Sequence, residues 1–342
     1  MGRHTYRRVK GQGSRVKGCV AMACALCIAA LSGCAPTYPK DKIDEAIVDL
    51  CKREYNLDVD TKIKGKTIGV YLPVDNLFDV VFNLDQKASK KINDVILGVS
   101  RVTLSTDAKF DFYVVVAQDP KVPEVEIVYI RYVHDVKRFL LGDISRGEYA
   151  KKALIAIKTP PQAERERILR ELFSKLNIDD ADEMIKEYLE GEDKAYGIGE
   201  ISYWNKKFFI NDITLAEFAA KQIEERIKFE FRENKDLNKW YEFKSVEGKF
   251  IKAPSGNRFV FNVSMANRVE PLYLDSGIEL GSSRKRQLVF QGLVTIAGNV
   301  LWAYKFDDFE RVDIAIPEQR LKISRDTLWK ARKGKVKIGE LL

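Results

Sequence analysis

Phe110-Asp-Phe-Tyr-Val-Val-Val-Ala117 is followed, after Asp119-Pro-Lys-Val-Pro123, by Val125-Glu-Ile-Val-Tyr-Ile-Arg-Tyr-Val133, and the fold turns on this stretch. β-Branched and aromatic side chains fill nearly all of the first run and most of the second, a composition that suits a pleated surface. Apolar residues occupy both alternating faces. The pair is therefore expected inside a sheet that is covered on each side. The prolines between the runs end one strand and turn the chain into the next.

Working outward, the periodicity changes from two to about 3.6. Ile92, Val95, Ile96, Val99 and Val102 predict a helix over Gln86–Leu104, and Ile43, Ala46, Ile47, Leu50 and Cys51 predict one over Asp41–Tyr55. Lys66–Leu72 reads as a strand stopped by Pro73. On the other side, Asp135–Leu141 and Tyr149–Ile157 look helical, and Ser145-Arg-Gly-Glu148 has capping-box spacing. Thr159-Pro-Pro-Gln162 reads as a helix start with Thr159 as cap, leading into Ile168, Leu169, Leu172, Phe173 and Leu176. Asp179-Asp-Ala-Asp-Glu183 opens a short helix, and Gly197–Ile210 is expected to hold a strand. Thr214-Leu-Ala-Glu217 is a second capping box, for a helix reaching about Arg232.

The texture then turns to β. Tyr241–Lys252 and Asn257–Arg268 flank Ala253-Pro-Ser-Gly256 as a hairpin. A helix over Gln287–Phe306, strands at Val312–Ile316 and Leu321–Ile323, and a helix over Asp326–Arg332 complete the chain. The order helix, strand, turn, strand, short helix thus occurs twice, either as a duplication or as two similar units. The expected class is α+β: two mixed units with mostly antiparallel sheets, residues 41–158 and 236–342, joined by a helical connector at 159–235.

The first 33 residues have a different character. Arg3, Arg7, Arg8, Lys10, Arg15 and Lys17 precede the apolar run Cys19–Leu31, and no acidic residue lies among them. A basic head, a short apolar body and small residues at the end describe a secretory signal peptide. The body, about 13 residues, is too short for a bilayer span, which needs roughly 20. Tyr6 and Val9 beside Arg7-Arg8 fit twin-arginine export poorly, so general secretion is expected.

Leu31-Ser32-Gly33-Cys34 resembles the lipobox of bacterial lipoproteins: an aliphatic residue, two small residues and an obligatory cysteine. The resemblance implies cleavage between Gly33 and Cys34, lipidation of the Cys34 thiol and acylation of the new amino group. It implies a cell-envelope protein, anchored on the extracytoplasmic side of the outer or the inner membrane, with the membrane as its partner through lipid on Cys34. Residues 34–40 then form a tether with two prolines. About seven residues at ~3.6 Å each reach roughly 25 Å.

Cleavage changes the charge argument. The formal net charge of +8 falls to about +2 once the six basic residues of the signal leave. Together with export, this argues against a nucleic-acid partner. Of five cysteines only Cys51 remains with a free thiol, which rules out an intrachain disulfide. Its place on the first helix's apolar face marks Cys51 as a small core residue. The mature body of about 300 residues suits two domains of ~150.

Recognisable chemistry is sparse. His134 is the one histidine after the signal, so a multi-histidine zinc site is excluded, and a Ser-His-Asp triad would need His134 without any Gly-x-Ser-x-Gly elbow. Gly65-Lys66-Thr67 precedes a strand, whereas a phosphate loop follows one. Gly197-Ile-Gly199 has Ser202 where a dinucleotide turn needs its third glycine. Asp179–Glu183 lacks the glycine and closing glutamate of a calcium loop. Asp307, Asp308, Glu310 and Asp313 read as a solvated cluster, and Arg284-Lys285-Arg286 as a solvated loop. No catalytic residue, cofactor or metal is assigned. The leading expectation is a non-enzymatic binding or assembly component of the envelope, with an envelope protein as partner. An envelope hydrolase using Asp or Glu and a lipid-anchored solute receptor remain alternatives.

Overall fold

The computed structural model describes residues 38–340, except 80, 82, 179, 192–196, 255 and 269–281. Gly33 and Cys34 lie outside the described residues. Tyr38, the first described, is already docked: its N–H donates to the Ser105 carbonyl at 3.4 Å, it bridges Thr106 in parallel, and its ring packs on the first core.

The first sheet grows from α1 (Ile43–Tyr55), β1 (Asp60–Lys64), β2 (Thr67–Pro73), α2 (Gln86–Leu104), β3 (Phe112–Asp119), β4 (Val122–Tyr132) and α3 (Val133–Leu140). Its strand order is β1-β2-β3-β4-β5, with β2 and β3 parallel and the other pairs antiparallel. β3 is central and all eight of its residues are buried, as its apolar faces required. One face, with Tyr113 and Val115, packs on Ile47, Leu50, Val95 and Val99 of α1 and α2. The other, with Phe112, Val114 and Val116, packs on Phe208, Phe209 and Phe218. Asp85 caps α2 through the N–H groups of Lys87 and Ala88.

Two sequence expectations fail next. Helix α4 (Arg146–Lys151), capped by Ser145, stops at Lys151, and Leu154–Lys158 is an edge strand, β5, where a helix was expected. Leu154-Ile-Ala-Ile157 has no strong local preference, and pairing with Glu126–Ile130 of β4 decides its conformation. Helix α5 (Pro161–Lys175) begins from Pro160 without a side-chain cap, so Thr159 does not serve as one. Ile168 and Leu172 of α5, and Leu176 at its C-terminal cap, are about half exposed. β1 was not anticipated, because Asp60-Thr-Lys-Ile-Lys64 is largely polar.

After α6 (Ala181–Gly191) come the hairpin β6 (Ser202–Trp204) and β7 (Lys207–Phe209), then α7 (Leu215–Glu233) with the complete Thr214–Glu217 capping box. α7 serves both cores: Phe218 packs into the first, and Ile223, Ile227 and Phe231 into the second. α8 (Lys235–Trp240), β8 (Tyr241–Ile251), β9 (Arg258–Asn267), α9 (Ser282–Ala303), β10 (Arg311–Ile316), β11 (Gln319–Ser324) and α10 (Arg325–Arg332) follow. The second sheet is ordered β11-β10-β9-β8, with β9 and β10 parallel across the α9 crossover. Phe259, Phe261, Val263 and Met265 point into its core while Asn262 and Ser264 face out.

The chain is α+β with mostly antiparallel sheets. The repeated order extends to the pairing. In each sheet a hairpin (β1-β2, β8-β9) joins a second hairpin (β3-β4, β10-β11) through a parallel contact bridged by a helix, and a short helix closes the unit. β5 extends only the first.

Candidate functional site: a polar cleft between the two sheets

Helix α3 leaves β4 without a loop. The Val133 N–H donates to the Asp111 carbonyl at 2.9 Å, and this turn drives Asp135 inward until it is 1% exposed. Lys152, between α4 and β5, is equally buried, and its carbonyl accepts from Gln222 Nε2 of α7 at 3.1 Å. Lys152 Nζ lies 3.4 Å from Asp135 Oδ1 and 4.0 Å from the Tyr304 ring centroid, just past the end of α9. Arg138 reaches the same carboxylate oxygen at 3.6 Å. Arg131, 3% exposed, donates to Tyr129 Oη at 2.8 Å and to the Tyr149 carbonyl at 2.5 Å, with its guanidinium over the Tyr149 ring. Tyr304 meets Tyr132 and Phe218 edge-on.

These groups contend with burial. Desolvation pushes the Asp135 carboxyl above its ordinary range, although the Lys152 and Arg138 charges pull the other way. The same desolvation pushes the Lys152 ammonium below its ordinary value against the pull of Asp135. The Tyr304 phenol is driven far up, by burial first and then by the Asp135 charge. Among the described residues, neither Asp135 oxygen, nor Lys152 Nζ, nor Tyr304 Oη makes a contact with hydrogen-bond geometry. Such perturbed groups beside a concavity mark functional sites more often than chance.

The concavity is a cleft of about 720 Å³, entered past Tyr132, His134, Lys137, Arg138, Tyr304 and Lys305, with Asp135 in its floor and Asp143 on its rim. Lys137 and Lys305 are exposed and have no ion-pair partner among the described residues. His134 stands at the mouth, its ring 5.8 Å from that of Tyr132. His134 and Asp135 thus share the cleft, as their sequence adjacency allows. Lys152, Gln222 and Tyr304 join them from distant parts of the chain, and no local sequence signal marks them.

The other sequence candidates are accounted for locally. Cys51 is fully buried, and burial pushes its thiol up to about 11. Gly65-Lys66 forms the β1–β2 turn, with the Lys66 N–H bound to Asp212, and Ile198–Glu200 is a single 3-10 turn. Asp182 is bound to Arg170, which also holds Glu166, beside a pocket of about 470 Å³ walled by Trp204 and Phe209. Asp313 pairs with Arg311, and the Asp308 side chain accepts from Asn257. The Arg284-Lys285-Arg286 triplet, expected in a loop, instead lies in the first turns of α9, where Arg286 pairs with Glu318. Among the described residues, no three His, Cys, Asp or Glu side chains converge as metal ligands would. No described helix is long and apolar enough to cross a membrane. A second buried acid, Glu126, accepts the Tyr203 N–H at 3.1 Å with Lys158 Nζ 3.7 Å away; desolvation raises it to about 7, and it fastens β6 to β4.

No protein-family model, curated protein or solved structure matches this chain.

Proposed function

We propose that the chain is a lipid-anchored, extracytoplasmic binding or assembly component of the bacterial envelope, held through Cys34 with its first sheet against the bilayer. The lipobox resemblance of Leu31–Cys34 carries the anchor, and the docking of Tyr38 onto Ser105 and Thr106 supports the orientation. Four residue steps separate Cys34 from Tyr38, a reach of at most about 14 Å at ~3.6 Å each. Thr106 lies near the start of β3, so the body is held by that end of the sheet. The half-exposed Ile155 and Ile157 of edge strand β5 support a role in protein contact. The division into units 41–158 and 236–342 with a 159–235 connector belongs to the same proposal. Separate cores under the two sheets support it, and α7 is the element shared between them.

The mass of the N-terminal peptide tests the anchor: a diacylglyceryl adduct at Cys34 is expected, and an unmodified terminus would sink the reading. Orientation is tested with fluorophores on Lys109→Cys and Lys121→Cys in the bilayer-bound protein. These positions lie at opposite ends of β3, roughly 25 Å apart at ~3.3 Å per residue. Headgroup-attached quenchers should darken the first and spare the second, and equal quenching would contradict the orientation.

A further inference from the structure

The cleft and the tether-docking residue lie at the same end of the first sheet. β3 starts there, β4 ends there with Tyr132 opposite Phe112, and Val133 hangs from Asp111. Cations outnumber carboxylates in the cleft. Lys137, Arg138 and Lys305 line it, Lys152 stands behind its floor, and only Asp135 and Asp143 oppose them. Asp135 is already countered twice, by Lys152 and Arg138. Lys137 and Lys305, on facing elements, have no described ion-pair partner and share one opening. The first turn of α3 opens into the same space with no side chain capping it, and a helix N-terminus favours negative charge. The floor holds a further under-satisfied group: Asp135 is 1% exposed and lines the cleft, and beyond its ion pairs with Lys152 and Arg138 neither of its oxygens has a hydrogen bond among the described residues.

We propose that this cleft binds a phosphate group, with Lys137, Arg138 and Lys305 as its cations and the α3 N-terminus as its backbone donor. Three cations around one opening match a compact, multiply charged anion. Asp135 does not forbid it, because Lys152 behind the floor already counters its charge at 3.4 Å. The group has two possible sources of the same chemistry, a phospholipid headgroup or a soluble phosphate compound. The headgroup alternative rests on the membrane orientation proposed above, whereas the phosphate site itself does not.

The test uses the lipidated mature protein in non-ionic detergent and three probes: inorganic phosphate, glycerol 3-phosphate, and dihexanoyl phosphatidylglycerol below its micelle concentration. Saturable binding of at least one probe is expected, with sulfate competing weakly. Lys137→Gln combined with Lys305→Asn should weaken that binding at least tenfold at unchanged melting temperature. Both side chains are exposed, and asparagine tolerates the left-handed backbone of Lys305 (φ 51°). Lys121→Gln, at the far end of the sheet, should change nothing. Preference for the short-chain lipid identifies a headgroup site, and equal or better binding of the soluble phosphates identifies a soluble ligand. Failure of all three probes to saturate, or undiminished binding by the double variant, would overturn the inference. Neither result bears on the Cys34 adduct, which is read separately by mass.

Discussion

Lys152 and Asp135 meet at 3.4 Å with both side chains 1% exposed, so one end of the first sheet is closed by an ion pair taken almost wholly out of water. The desolvation of two charges offsets much of their attraction, so the intact pair contributes little net stability. Removing one partner is different, because it strands the other charge.

Asp135→Leu and Lys152→Met should each destabilise the protein by about 3–5 kcal/mol, while the double variant should lose clearly less than the sum. Urea denaturation of the four proteins measures this. Strict additivity would show that the two side chains do not act as a pair.

Glu126 makes a prediction about pH. Its folded-state carboxyl titrates at about 7, raised from 4.5 chiefly by burial. Between those values the folded protein holds a proton that the unfolded chain has released. Its contribution to stability is therefore present below pH 4.5 and is lost as pH rises towards about 7. Glu126→Gln keeps an acceptor for the Tyr203 N–H and has nothing to ionise. The variant should match the wild type near pH 4.5 and gain on it through this window. Parallel stability curves would contradict the shift.

Cys51 should resist a membrane-impermeant thiol reagent until the protein unfolds, because it is fully buried and its thiol is pushed up to about 11. Cys51→Ser should cost roughly 1–3 kcal/mol, the usual penalty for a buried hydroxyl without a partner. The same helix contact makes Gly98→Ala unfavourable, since a Cβ there would lie 2.8 Å from Leu50 Cδ2. Labelling faster than global unfolding would place Cys51 outside the core.

Gly65 holds the β1–β2 turn with φ 57° directly against the Asp212 carboxylate, which accepts the Lys66 N–H at 2.8 Å. Gly65→Ala should destabilise by about 1–2 kcal/mol through the left-handed backbone alone. Asp212→Ala should lower the melting temperature as well, and the two losses should not add. An unchanged melting temperature in Gly65→Ala would show that the turn relaxes freely.

Much of the fold was legible locally. α2 emerged at Gln86–Leu104, because Ile92, Val95 and Val99 recur at helical spacing and Asp85 precedes them as a cap. β3 was readable as central because both of its faces are apolar. The Thr214–Glu217 box formed in full because all its partners lie within one turn. The attachment reading, too, rests on four adjacent residues, Leu31–Cys34.

What stayed hidden depended on distant partners. Leu154–Lys158 became a strand through the open edge of β4, and the apolar stripe of Ile168, Leu172 and Leu176 is about half exposed. His134 and Asp135 were visible as a pair of letters. Their cleft exists only because α7 carries Gln222 to Lys152 and α9 delivers Tyr304 and Lys305 opposite α3. Backbone periodicity and capping are set by neighbours a few residues apart, so the sequence by itself determined most elements. Pairing at sheet edges, exposure of an apolar face and the electrostatics of a buried ion pair depend on which surfaces meet and exclude water, and only the tertiary structure decided those.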